Sequence, residues 1–262
     1  MTKGGEDALA LRGRLVLVQL SDPHVGALWA GGHSVGALTA TVDAVLQLPD
    51  RPDAVLVTGD LADHAADDEY KIVQQVLARV DAPLYVLPGN HDDRSTMRRH
   101  FDLPGRGDAA VQYSVDVGPL RLLLLDSTRP GEARGEFPPE RLAWLESTLA
   151  EAPDRPTLVA VHHPPFRTGS ASWDRIGLPA RDRAAFAAVL AGHPQVQCVV
   201  AGHVHRTIAA QLGARPAMTV PSTYVQACLD LTSDEIAFGD DPPGFAVHVF
   251  SDGTLASHVQ LA

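Results

Sequence analysis

The chain has 262 residues, 45% of them apolar, and a formal net charge of −11. That length allows one large domain or two small ones, and the apolar share supports a sizeable core and excludes a disordered chain. The negative field argues against a nucleic-acid polymer as partner, whereas a small anion stays acceptable where bound cations reverse the local potential.

Residues 1–13 are polar and Gly-containing and are expected as a flexible N-terminal tail before one domain over 14–262. The start carries acids and lacks a long apolar stretch, so it does not read as a secretion signal. No later run is long enough to span a bilayer, and the cytoplasm is the default location. Two cysteines, Cys198 and Cys228, read as free thiols, because a disulfide framework would use more.

The first apolar run, Leu15 to Leu20, predicts a strand that ends at Ser21-Asp22-Pro23-His24. Side chains one residue apart in extended backbone point the same way, so Asp22 and His24 can grip one ion. A loop with Trp29 and His33 follows, and then helical spacing over Val35 to Leu48, closed by Pro49. The second strand, Ala54 to Val57, runs into Thr58-Gly59-Asp60. The acids Asp67-Asp68-Glu69 suit a first helical turn, predicting a helix to about Val80 with Ile72, Val76 and Val80 inward.

A third run, Pro83 to Leu87, stops at Pro88-Gly89 and delivers Asn90, His91 and Asp92, three residues suited to binding a metal, touching a phosphate or moving a proton. A short helix is expected from Asp93 to about Phe101. Val111 to Val117 and Leu120 to Leu125 read as a hairpin around Gly118-Pro119. An amphipathic helix opens at Pro138-Pro139-Glu140, with Leu142, Leu145 and Leu149 inward.

The run Thr157 to Val161 ends at His162-His163-Pro164-Pro165, and Val196 to Ala201 ends at Gly202-His203-Val204-His205. Between them lie an irregular stretch, 166–179, expected as a loop over the site, and a helix from Asp182 to Leu190. Four short runs from Thr207 to Leu261 form an all-strand tail, interrupted by a second loop, 222–244.

Short β-branched runs separated by helical segments read as strands of a buried sheet, and ligands of open α/β sheets gather at the carboxyl ends of strands. All five polar clusters sit at that end. The candidate ligands Asp22, His24, Asp60, Asn90, His162, His203 and His205 combine carboxylate, amide oxygen and imidazole without thiolate. Such a set suits borderline metals such as Mn, Fe, Zn or Co. Seven donors exceed one ion with an open position and suit two ions that share a carboxylate.

The ordered series D-x-H, G-D, G-N-H-D, H-H-P-P and G-H-x-H resembles the calcineurin-like metallophosphoesterase superfamily, over about Leu15 to Val259. The longer strings Gly59-Asp60-Leu61-Ala62-Asp63, Gly89-Asn90-His91-Asp92-Asp93-Arg94 and His162-His163-Pro164-Pro165 look most like the class III bacterial cyclic nucleotide phosphodiesterases, whose relatives include glycerophosphodiesterases.

The resemblance implies an α/β fold, a four-layer αββα sandwich of two mixed β-sheets flanked by helices. It implies two divalent or mixed-valence ions. Asp22, His24, Asp60 and His205 would hold one, and Asp60, Asn90, His162 and His203 the other. A hydroxide bridging the ions would attack phosphorus in a small phosphodiester, a cyclic nucleotide of the 3′,5′- or 2′,3′-cAMP type first. His91, with Asn90, would contact the phosphate, His91 acting on the leaving oxygen. Glycerophosphodiesters or phosphomonoesters are alternative substrates of the same centre, a homodimer is an expectation of the resemblance, and a non-catalytic metal-binding scaffold is the remote alternative.

Other positions stay open. His163 either orients a ligand or packs. Asp63 either hydrogen-bonds a ligand histidine or caps a helix. His33, Trp173 and Arg175 are weighed as substrate contacts against plain loop residues. His64, His100, His193, His248 and His258 read as surface or packing histidines.

Overall fold

The computed structural model describes residues 13–262, so the expected tail, Gly13 apart, lies outside the described residues. Strands β1 (Leu15–Leu20), β2 (Ala54–Val57) and β3 (Leu84–Val86) run parallel to one another. The C-terminal hairpin of β12 (Gly244–Ser251) and β13 (Thr254–Leu261) joins them antiparallel, giving a five-stranded mixed sheet in the order β13-β12-β1-β2-β3. A six-stranded sheet, β4-β5-β6-β7-β9-β8, holds β4 (Tyr113–Val117), β5 (Leu120–Leu124), β6 (Thr157–Ala160), β7 (Val196–Ala201), β8 (Ile208–Leu212) and β9 (Arg215–Thr219). Strands β5, β6, β7 and β9 are parallel and the two edge strands β4 and β8 antiparallel.

Three apolar clusters define four layers. Helices α1 (Ser34–Leu46), α2 (Asp67–Leu77) and α3 (Arg94–His100) cover the first sheet through Leu38, Val42, Tyr70, Val73 and Met97. Helices α4 (Pro139–Ala150) and α6 (Ala180–Ala191) cover the second through Leu145, Leu149, Phe186 and Leu190. Leu17, Leu56, Leu122, Leu158 and Val200 fill the space between the sheets. The expected αββα sandwich of two mixed sheets is the observed one. Alternate residues of β1 therefore serve different layers: Leu15 and Leu17 face the other sheet, Val18 and Leu20 the helices.

Three expectations need correction. Helix α2 ends at Leu77 rather than Val80, and its buried face is Tyr70, Val73 and Leu77, with Ile72 and Val76 flanking it. Position 70 sets this face, since the largest ring on the helix takes the centre of the core contact. The stretch 166–179 is not all loop. It contains helix α5 (Ala171–Ile176), whose single turn and a half is too short to show periodicity. Asp174 fastens this helix to the preceding loop by accepting from Thr168 N–H and Oγ1–H. The loop 222–244 carries a two-stranded ribbon, β10 (Gln226–Ala227) with β11 (Phe238–Gly239).

Both cysteines are free, Cys198 buried and Cys228 exposed. His248 is a buried packing histidine on β12. Its Nε2–H donates to Gln19 Oε1 at 2.9 Å, and its Nδ1 faces Ser257 Oγ at 2.7 Å. Burial, helped by the nearby charge of His258, pushes its pKa down to about 4. The folded value lies below the unfolded one, so this neutral ring stabilises the fold fully above pH 6.5, and that contribution drains away as pH falls toward about 4. His248→Gln in the chelated protein should therefore flatten the loss of stability between pH 7 and pH 4 by roughly 3 kcal/mol, read from urea unfolding at each pH. An unchanged pH slope would contradict this.

Candidate metal centre

Five of the parallel strands end where candidate ligands begin. Asp22 and His24 follow β1, Asp60 follows β2, Asn90 and His91 follow β3, His162 follows β6, and His203 and His205 follow β7. The two sheets meet at this edge, where His203 N–H donates to both Asp22 oxygens at 3.0 and 3.1 Å. Asp22, His24, Asp60, His162, His203 and His205 are all buried. Five of them, Asp22, His24, Asp60, His203 and His205, hold positive φ angles between 43° and 71°. L-residues with a β-carbon adopt this region at a cost on the order of 1–2 kcal/mol. Such strain at one point of a fold marks a site that the surrounding structure over-determines.

Asp60 lies at the centre. Its Oδ2 is 3.5 Å from His24 Nε2 on one side and 3.4 Å from His162 Nε2 on the other. Asp22, His24 and His205 bring donor atoms within 4.8 Å of one another, as do Asp22, Asp60 and His162. Asn90 Oδ1 reaches His162 Nε2 at 3.1 Å. All seven candidate ligands are thus brought together, in two groups that flank Asp60.

Hydrogen bonds fix which nitrogen of each ring points inward. His162 Nδ1 donates to Thr58 O at 2.8 Å and His205 Nδ1 to Val225 O at 2.9 Å. His24 Nδ1 is held by Asp63 Oδ1 at 2.9 Å. The Nε2 of each of these three rings is left to face the centre, and partners on the far nitrogen are the usual means of orienting metal-binding imidazoles. Two features fit cations. His203 Nε2 is buried without a hydrogen-bond partner. His24 Nε2 and His205 Nε2 face each other at 3.0 Å, a nitrogen pair that needs a proton or a cation between its lone pairs.

Charge is divided unevenly. Burial pushes the Asp22 carboxyl up to about 6, with the Asp60 charge adding to it. Burial also resists ionisation of Asp60, but the charge and hydrogen bond of His162, with His24 and His91, carry it well below the usual carboxylate range. Burial disfavours the His162 cation, yet Asp60 and Asp22 raise its pKa to about 9. His205 is pushed down to about 3 by burial and the His24 charge, and His203 falls well below 6.5 through burial and its histidine neighbours. The centre thus offers an anionic Asp60 and two neutral imidazoles, and ions binding there release the protons on His162.

Residues 15–207 match the calcineurin-like phosphoesterase family. The chain belongs to that family. It is 34% identical over 94% of its length, and 89% of the relative's, to the 3′,5′-cyclic adenosine monophosphate phosphodiesterase CpdA of Pseudomonas aeruginosa. It is 32% identical over 91% of its length to the probable glycerophosphodiester phosphodiesterase GpdQ of Arcobacter nitrofigilis, covering 89% of that protein. A solved dimetal phosphatase from Danio rerio superposes with a TM-score of 0.69 at 18% identity, over 94% of this chain and 96% of that one, which shows the shared fold.

Several roles open in the sequence become visible within this phosphoesterase fold. Asp63 hydrogen-bonds His24 and caps no helix, and it also accepts from Trp29 Nε1–H at 3.1 Å. His163 has both ring nitrogens engaged, Nδ1 with Ser127 Oγ at 2.9 Å and Nε2 with Ala133 O at 3.0 Å. Although it lies within 4.8 Å of His162 and His203, it has no free nitrogen for an ion. Burial holds its pKa down to about 3.

Asp92 turns back to the chain. It is a half-buried staple that accepts from Gly89 N–H, Leu61 N–H, Ala62 N–H and Tyr70 Oη–H. Arg175, on α5, pairs with Asp234 in the segment 222–244 at 3.3 Å, and His33 packs edge-on against Tyr224. Sequence reasoning missed Phe238, whose ring lies 5.4 Å from that of His205, because no periodic pattern surrounds it.

Asp63→Asn keeps the shape but weakens the acceptor that orients His24. Metal affinity, measured by titration after chelation, should fall about 10–100-fold. Wild-type affinity in this variant would show that His24 is oriented by something else.

Proposed function

We propose that residues 14–262 form one catalytic domain, a dinuclear metal-dependent phosphodiesterase acting on small phosphodiesters, cyclic nucleotides first. The observation that carries this is the donor set itself: seven ligand-type residues facing one point, with Asp60 between His24 and His162. Asp22, His24, Asp60 and His205 would hold one ion, and Asp60, Asn90, His162 and His203 the other, with Asp60 common to both sets. Manganese, iron, zinc or cobalt bound there supply Lewis acidity and make a water acidic enough to attack phosphorus.

The chain's own residues do the rest. His91 N–H donates to Asp60 Oδ1 at 2.9 Å, which fixes its backbone beside the shared carboxylate. Its Nδ1 donates to Asp63 O at 3.0 Å, and its side chain is 36% exposed, so Nε2 is the nitrogen that meets the leaving oxygen and protonates it. Asn90 adds a side-chain amide beside the same phosphate. Similarity to GpdQ proteins at 31–32% identity supports glycerophosphodiesters as the second substrate class. Two free thiols agree with the cytoplasm, and a homodimer is part of the same proposal.

His91→Ala should retain two ions per chain by elemental analysis while kcat falls about 10²–10⁴-fold. Loss of an ion would make His91 a ligand instead. Asp60→Ala should lower affinity at both sites together, and a variant that still binds two ions tightly would remove the bridging role. The substrate class is tested by kcat/KM of the manganese- and zinc-reconstituted protein on 3′,5′-cAMP, 2′,3′-cAMP, glycerophosphocholine and a phosphomonoester. The proposal expects a cyclic nucleotide to lead. Glycerophosphocholine in the lead would shift it to the second class, and no turnover with both ions bound would leave a scaffold.

A further inference from the structure

The segment 222–244 leaves apolar side chains in water beside the metal centre. Leu229 is 65% exposed and Leu231 55%. Both line a cavity of about 280 Å³ that Trp173, Val204 and Ile208 also line. Val204 lies between His203 and His205 in the chain, and Trp173 is common to the cavity and the centre. Its ring centroid is 5.6 Å from that of His203 and 6.2 Å from that of His205, the latter pair inclined by only 22°. The Arg175–Asp234 ion pair ties α5, which carries Trp173, to the segment that carries the two leucines. Exposed apolar groups gathered around one aromatic ring are the composition of a binding surface.

Several polar groups at this groove are engaged within the protein. Thr168 Oγ1–H donates to Asp174 at 3.0 Å, Arg206 Nη1–H to Ala227 O at 2.9 Å, and Asp230 Oδ1 accepts from Thr232 and Ser233. The groove offers a ring face and aliphatic walls, with Thr207 and Cys228 among its lining. A flat heterocycle gains from such a surface, and stacking tolerates any base because every base has a π-face. The hydroxyls of a glycerol moiety gain far less there.

We propose that this groove is the base subsite of the enzyme. Trp173 stacks on the nucleobase of a cyclic nucleotide whose phosphate lies at the metal centre, and Leu229 and Leu231 close against the base edge. Trp173 is a specificity-determining residue that takes no part in bond cleavage. The subsite selects substrates with a base over those without one, and it separates adenine from guanine little. This rests on the phosphodiesterase reading above.

The test compares wild type, Trp173→Ala, Trp173→Phe and Leu231→Ser, all metal-reconstituted, on 3′,5′-cAMP, 3′,5′-cGMP and glycerophosphoglycerol, which carries neither a base nor a cation that could sit on the indole face. Trp173→Ala should raise KM for both cyclic nucleotides about tenfold or more, with kcat and the glycerophosphoglycerol constants within about twofold. Trp173→Phe keeps a ring and should restore most of the KM. Leu231→Ser, at a position too exposed to endanger folding, should move KM the same way by a smaller factor. Equal damage to glycerophosphoglycerol, or unchanged KM for the cyclic nucleotides, would overturn the subsite. Adenosine binding by calorimetry separates the two claims, because it needs neither phosphate nor turnover. An inactive wild type that binds adenosine through Trp173 would sink the enzyme and keep the subsite, whereas active wild type whose adenosine binding ignores Trp173→Ala would do the reverse.

Discussion

The Asp60 carboxylate stands where a side chain at position 89 would begin. A β-carbon on Gly89 would lie 2.1 Å from Asp60 Oδ1 and 2.3 Å from its backbone nitrogen. The same crowding recurs on both sides. A β-carbon on Gly59 would lie 2.5 Å from His162 Nδ1, and one on Gly202 would lie 2.0 Å from Ser21 Oγ. Glycine at these three strand ends lets two sheets bring backbone and ligand side chains into one small volume. The left-handed backbone of five candidate ligand residues follows from the same constraint, because the chain must turn sharply at each strand end to aim its side chain toward Asp60.

Such crowding is stable only when each buried polar atom is paired. A continuous chain of hydrogen bonds supplies this. His248 holds Gln19, Gln19 Nε2–H donates to Thr58 Oγ1 at 2.9 Å, and the Thr58 carbonyl receives the His162 Nδ1 proton. Polar residues inside an apolar sandwich therefore serve to aim the His162 ring. Asp92 does the same for the neighbouring turns by gathering three backbone N–H groups around Gly89 and Leu61. The apolar layers on either side hold these ends against the strain. His203 Nε2, one of the buried side-chain atoms without a partner among the described residues, and the facing His24–His205 pair lie where cations are expected.

Much of this was legible in the sequence, for a physical reason. A buried parallel strand is mostly apolar, so the change to Asp, His or Asn at its end is abrupt, and five such changes in order locate the centre. Asp22, His24, Asp60, Asn90, His162, His203 and His205 all converge. Features set by side-chain reach were not legible. Asp92 follows Asn90 and His91 directly and is as polar as they are, and only the fold shows that its carboxylate turns back to the chain. The choice of Tyr70 over Ile72 as the inward position of α2 depends on the neighbouring core. Trp173 and Phe238 sit in segments without a period, so their approach to the His205 ring had no signal in the sequence beyond their size.

The central claim is that one carboxylate is shared by two ions. Anomalous diffraction from crystals of the manganese-loaded protein tests it directly. The account predicts two peaks roughly 3.5–4 Å apart with Asp60 between them, one beside Asp22, His24 and His205 and the other beside Asn90, His162 and His203. A single peak, or two peaks with Asp60 touching only one, would contradict it.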